Sequence, residues 1–122
     1  MLKTILIVED DPLVAMMMLE GYLDALGYET VATCETVVAA LARIDPDRVD
    51  AAIVDVHLAN GELSGPVVDA LRAAHIPFLV TTGGSNIVSD PRFDGAAMLT
   101  KPFRLADLET ALAPLAAAAT AD

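Results

Sequence analysis

The chain contains no tryptophan, a single cysteine (Cys34) and only seven lysine and arginine residues among 122. Each shortage removes a class of function. One thiol forms no internal disulfide, which fits a reducing compartment. Seven basic residues against 18 acids, a formal charge of −11, leave no basic stripe to displace phosphate counterions, so nucleic acid is not an expected partner. The same charge disfavours an anionic membrane surface. No apolar run approaches the ~18 residues of a membrane span. The N-terminal apolar stretch is short and runs straight into Glu9, Asp10 and Asp11, which is unlike a signal peptide, so the expected location is cytoplasmic. Aromatics make up only 4%, so a core must come from aliphatics, alanine and methionine.

What is present is enough for one such core. Apolar residues account for 55% of the chain, which suits a single ordered domain over 1–122 and argues against disorder. There is no repeat and no linker. The only low-complexity stretch is the alanine run at 116–119.

Apolar strand-like runs alternate with helix-period segments from end to end. Strands are expected at 3–8, 30–33, 51–54, 78–81 and 96–100. The first helix begins at Pro12, a favourable first-turn residue, with Leu13, Met16, Leu19, Leu23 and Leu26 as its buried stripe and Gly27 as its C-terminal cap. A second helix covers 36–44 and stops at Asp45-Pro46-Asp47. A third begins at Pro66, and the last follows Pro102. Between Thr82 and Lys101, Gly83, Gly84 and Pro91 leave room only for a fourth helix that is short or mobile. Five β/α units in this order predict an α/β fold with a doubly wound, five-stranded parallel sheet flanked by helices.

Asp55 stands at the end of Ala51-Ala52-Ile53-Val54, a run apolar enough to be buried on both faces, as in a parallel sheet. In such sheets ligands bind beyond the carboxyl ends of the strands. The first strand also ends in acids, and Lys101 closes the fifth. Carboxylates from two strand tips raise one another's pKa unless something neutralises them. A hard divalent ion with oxygen ligands and water, Mg²⁺, does so. An ionised Asp55 is then a nucleophile able to form an acyl phosphate, with charge neutralisation shared by Mg²⁺ and Lys101. Thr82 brings a hydroxyl to the tip of the fourth strand, and Thr81 could stand in its place.

These pieces together resemble the receiver domain of bacterial response regulators, in the stand-alone form used in phosphorelays, over essentially the whole chain. Val8-Glu9-Asp10-Asp11-Pro12-Leu13 resembles the acidic cluster after strand one, Val54-Asp55-Val56 the phosphoacceptor segment, Thr82-Gly83 the switch threonine with its small neighbour, and Lys101-Pro102-Phe103 the Lys-Pro-Phe in which the Lys-Pro peptide is commonly cis. The resemblance implies a flavodoxin-like fold of receiver type with Asp55 as phosphoacceptor. It implies that Glu9, Asp10, Asp55 and the backbone carbonyl of His57 bind Mg²⁺, and that Thr82 and Lys101 contact the phosphoryl group. It also implies a histidine kinase or histidine phosphotransfer protein as donor, a downstream protein at the face of strands four and five, and no catalysis beyond the chain's own phosphorylation and dephosphorylation.

The sequence departs from the pattern in places. Counting back along the first helix favours Asp10 and Asp11 over Glu9 and Asp10, because Met16-Met17-Met18 carries one residue too many. The usual aromatic switch position holds Met98. Other readings compete for individual residues. Asp11 could cap the helix before Pro12. The His57 imidazole could titrate near a phosphoryl group, although a loop side chain with a useful carbonyl is the plainer reading. His75 suits a helix C-terminus, Cys34 a half-buried apolar site, and the three methionines the core. An adaptor that works without phosphorylation is the alternative function. An aspartate-nucleophile phosphatase would need a second acid where His57 stands, and a flavin site would not suit the acidic crevice.

Overall fold

The computed structural model describes residues 2–58, 61–83 and 90–120. Five strands, β1 (Thr4–Val8), β2 (Glu29–Cys34), β3 (Ala51–Asp55), β4 (Phe78–Thr82) and β5 (Ala97–Thr100), form one sheet in the order β2-β1-β3-β4-β5. Every neighbouring pair is parallel. Among the described residues four helical segments cover its faces: α1, continuous through Leu13–Glu20 and Gly21–Ala25, then α2 (Val37–Leu41), α3 (Gly65–Ala73) and α4 (Leu105–Thr120). The doubly wound parallel sheet expected from the alternating pattern is the one observed.

Alternation along the strands divides the core. Ile5, Ile7, Ala51, Ile53 and Leu79 face α1 and α4, where they meet Leu19, Leu23, Leu108 and Leu112. Leu6, Val8, Ala52 and Val54 face the other way, against Val37 and Ala40 of α2 and Val67 and Leu71 of α3. β1 and β3 are therefore buried on both faces, which is why their sequences read as unbroken apolar runs. The end of β1 and the end of β3 lie side by side, with Val8 opposite Val54.

Local chemistry ends the helices where it should. After α1, Gly27 takes φ +90°, and its N–H and that of Tyr28 bond back to Asp24 (3.0 Å) and Leu23 (2.8 Å). This is the paired closure that favours glycine. The same closure ends α3 with His75 at φ 58°, its N–H on Arg72 (3.1 Å) and that of Ile76 on Leu71 (2.9 Å). His75 thus lies at the helix C-terminus, as expected, but in a conformation few side chains adopt. Thr36 caps α2 by accepting from the Ala39 N–H at 3.1 Å. Cys34 is more deeply buried than expected, 5% exposed, and burial raises its thiol pKa.

The first helix departs from expectation. Its first eight residues, Leu13–Glu20, wind as a π-helix before α-helical geometry resumes at Gly21–Ala25. The wider turns take up the surplus residue of the methionine run and change the helix phase. Ala15, Leu19 and Leu23, spaced by four, become the buried stripe, while Leu13 (64% exposed) and Met16 (62%) do not belong to it. The methionines are not core filler either, since Met17 is 73% exposed and Met18 only half-buried.

The expected short or mobile fourth helix falls mainly on residues 84–89, which lie outside the described residues. What is described after them is a single 3₁₀ turn, Pro91–Phe93, capped by Asp90, which accepts from the Arg92 N–H at 2.9 Å. Pro91 opens this turn. Arg72 of α3 fastens it by donating to the carbonyls of Arg92 (3.1 Å) and Asp94 (3.0 Å). Phe93 buries itself against Val56, Val68 and Val80.

The phase of α1 is testable by paired substitutions. Leu19→Ala should destabilise the protein by about 2–5 kcal/mol in urea unfolding, and Met17→Ala by no more than about 0.5 kcal/mol. Equal losses at the two positions would contradict the observed phase.

Candidate functional site

Three acids and one lysine converge where β1, β3 and β5 end. Glu9 follows β1, Asp55 is the last residue of β3, and Lys101 follows β5. The Lys101 ammonium lies 2.6 Å from Glu9 Oε1 and 3.0 Å from Asp55 Oδ2, so it bridges acids on two different strands. Glu9 is 1% exposed and Asp55 5%. Asp10 is half-buried at the rim, and Glu9, Asp10 and Asp55 each offer a carboxylate oxygen within 4.8 Å of the others.

The arrangement follows from strand order. Two strands are needed to bring Glu9 and Asp55 together, and the β1–β3 register does so. Lys101 starts two strands away from Asp55 and extends over the tip of β4 to reach it. Its peptide bond to Pro102 is cis, and its backbone N–H donates to the Thr82 carbonyl at 2.8 Å. Phe103, buried just beyond, packs into the core and meets Tyr22 edge-on with ring centroids 6.3 Å apart.

Burial sets the electrostatics. It is the main reason that the Glu9 carboxyl is pushed above its ordinary 4.5; the hydrogen bond and charge of Asp55 add to the rise, and Lys101 opposes it. Asp10 is also raised, by burial first and then by Glu9. Burial alone would lower the Lys101 pKa, but its hydrogen bonds to Glu9 and Asp55 and their charges outweigh that and hold it above 10.5. The cluster carries more negative than positive charge in a poorly solvated place, the condition under which a cation is favoured. Carboxylate oxygens of this number and spacing fit Mg²⁺, which takes a few protein oxygens and keeps water on its other positions.

Asp11 takes a different role from its neighbours. Its Oδ1 accepts from the Leu13 N–H at 2.9 Å, a turn that leads into α1. The geometric acid group therefore begins at Glu9, and the extra helical residue that favoured Asp10 and Asp11 is absorbed by the π-helical turns. His57 lies two residues beyond Asp55, half-buried and bridged to Leu63 in antiparallel fashion. Its imidazole Nε2 is buried without a hydrogen-bond partner among the described residues. Thr82 ends β4 half-buried, opposite Thr100. Thr81, not Thr82, is the residue in register with Asp55. The sequence favours Thr82 as the site threonine because Gly83 follows it, and the strand pairing adds that its neighbour Thr81 is the one level with Asp55.

The geometry agrees with what the chain is similar to. Residues 5–113 match the response regulator receiver domain, and the chain belongs to that family. The solution structure of SdrG from Sphingomonas melonis Fr1 is 50% identical, with a TM-score of 0.84 over 94% of this chain and 97% of that one. The BeF3-activated conformation of SdrG from Pseudomonas melonis Fr1 is also 50% identical, with a TM-score of 0.77 over 92% and 94%. The receiver domain of sensor histidine kinase PA1611 from Pseudomonas aeruginosa PAO1, with a magnesium ion coordinated in its active site cleft, is 24% identical, with a TM-score of 0.76 over 94% and 98%. At that identity it shares the fold alone. A comparison with curated proteins gives no match. No helix among the described residues is long and apolar enough to cross a membrane.

The bridge makes a pH-dependent prediction. Lys101→Met removes the cation and leaves Glu9 and Asp55 uncompensated, which should cost about 3 kcal/mol at neutral pH. Glu9 has a raised folded-state pKa, so its contribution is fully present below 4.5 and is lost as pH rises through the folded value. The variant's deficit in chemical denaturation should therefore shrink on acidification towards that value. A deficit independent of pH would contradict the electrostatic account.

Proposed function

We propose that this protein is a phosphorelay receiver that accepts a phosphoryl group on Asp55 from a histidine kinase or histidine phosphotransfer protein. The observation that carries this reading is the Lys101 ammonium held between Asp55 and Glu9 at the ends of three strands. A carboxylate oxygen of Asp55 attacks the donor's phosphorus as the P–N bond to the donor histidine breaks, and the imidazole leaves with the electron pair and takes up a proton. Lys101, already aimed at Asp55, neutralises charge that builds on the phosphoryl oxygens. Thr82, at the tip of β4, supplies a hydroxyl to the same oxygens.

Glu9, Asp10, Asp55 and the backbone carbonyl of His57 are the proposed Mg²⁺ ligands. The bound ion supplies charge neutralisation for the transferring group. Support comes from the oxygen-only donor set and its mutual spacing, and from the magnesium ion in the cleft of the PA1611 receiver domain. The exposed Leu13, Met16 and Met17 lie on the helix that follows the acidic segment. They give a protein donor apolar contact area made of adaptable side chains.

A second reading, a receiver-fold adaptor that binds its partner regardless of phosphorylation, draws on Met98. This residue is 53% exposed on edge strand β5 and replaces the aromatic that the family resemblance implies for switching. If phosphorylation leaves affinity for a partner at the β4–β5 face unchanged, the adaptor reading is the better one.

Transfer of labelled phosphate from a cognate donor should modify the wild-type chain only when Mg²⁺ is present. Asp55→Asn should abolish the label. Label that persists on Asp55→Asn places the acceptor elsewhere, and a wild-type chain that takes no label from any cognate donor contradicts the reading.

A further inference from the structure

Thr81 is the polar residue in the sheet that lacks an explanation. It is 1% exposed, and its Oγ1 is buried with no hydrogen-bond partner among the described residues. A valine would fill the same space without the cost of a desolvated hydroxyl. Apart from Asp55 itself, every other position that faces α1 and α4 from β1, β3 and β4 is aliphatic: Ile5, Ile7, Ala51, Ile53 and Leu79. The hydroxyl therefore stands out at one place only, the upper rim of that core.

The rim is where the acids and the lysine meet. Thr81 is in register with Asp55 on one side and Leu99 on the other. Parallel neighbours in register project to the same sheet face about 4.8 Å apart, so the Thr81 hydroxyl shares a face with Asp55. Lys101, two residues beyond Leu99, reaches from the end of β5 to Asp55 and Glu9. Because β4 lies between β5 and β3, the lysine arm crosses the tip of β4, one residue beyond Thr81. In the resting arrangement the ammonium is committed to the two acids, and the hydroxyl next to them has no bond.

We infer that Thr81 is a positioning residue whose hydroxyl gains its partner when Asp55 is modified. The inference rests on the assignment of Asp55 as phosphoacceptor. Once Asp55 carries a phosphoryl group or a mimic, the ammonium follows the new oxygens, and an oxygen of the modified side chain accepts from Thr81. The bond exists in one state only, so it shifts the equilibrium towards that state. Thr81 acts next to Thr82 in this scheme: Thr82 serves the phosphoryl oxygens and Thr81 the Asp55 side chain that bears them.

Two signs in opposite directions test it. Thr81→Val should raise the unfolding midpoint of the unmodified chain, since it removes an unpartnered hydroxyl. It should also weaken Mg²⁺-dependent beryllofluoride binding, followed by NMR, about fivefold, the worth of one ordinary hydrogen bond. Thr81→Ser, which keeps the hydroxyl, should bind beryllofluoride like the wild type. Unchanged affinity in Thr81→Val, or a serine variant as weak as the valine one, overturns the inference and leaves Asp55 as phosphoacceptor intact. A wild-type chain that ignores beryllofluoride removes the phosphoacceptor reading and this inference with it.

Discussion

The structure around the strand ends depends on one ammonium group. Glu9 and Asp55 are nearly sealed from solvent on adjacent strands, and either would be costly to ionise there alone. Lys101 crosses the tip of β4 to lie 2.6 Å from one and 3.0 Å from the other. That bridge lets a crevice with an excess of negative charge exist above an otherwise aliphatic core. It also leaves the crevice unbalanced, since Asp10 adds a third carboxylate within ligating distance. Such an excess of negative charge in a poorly solvated place favours a cation.

The sheet makes the bridge possible. Parallel strands put all five carboxyl ends on one edge, and the order β2-β1-β3-β4-β5 sets β1 beside β3 and leaves β5 two strands away. A short acid at the end of β3, a longer acid after β1 and a long cation that crosses β4 from the end of β5 then meet. The side-chain lengths match the distances they must cover. The same geometry sets Thr81 level with Asp55, with a buried hydroxyl that has no hydrogen-bond partner among the described residues.

Much of this was legible in the sequence, for physical reasons. Strands buried on both faces read as unbroken apolar runs, so β1 and β3 were evident, and with them the placement of Glu9 and Asp55 at strand ends. Lys101 before Pro102-Phe103 was legible from its place after the fifth apolar run. The phase of α1 was not. Leu13 and Met16 fit an α-helical stripe, but a π-helical first segment turns them to solvent and buries Ala15 and Leu19. The surplus methionine residue is its visible sign in the sequence, and the structure takes it up in helix winding. The register that sets Thr81 level with Asp55 was hidden as well, because pairing between strands is not visible within one segment.

The most direct measurement of the central bridge is ¹⁵N NMR of lysine side chains across a titration to high pH, with Lys3 as an internal exposed reference. The account predicts that the Lys101 ammonium keeps its protons above its ordinary 10.5, shows hydrogen-bond protection that Lys3 lacks, and loses that protection when Glu9 and Asp55 are replaced together by their amides. A Lys101 ammonium that titrates and exchanges like Lys3 would contradict it.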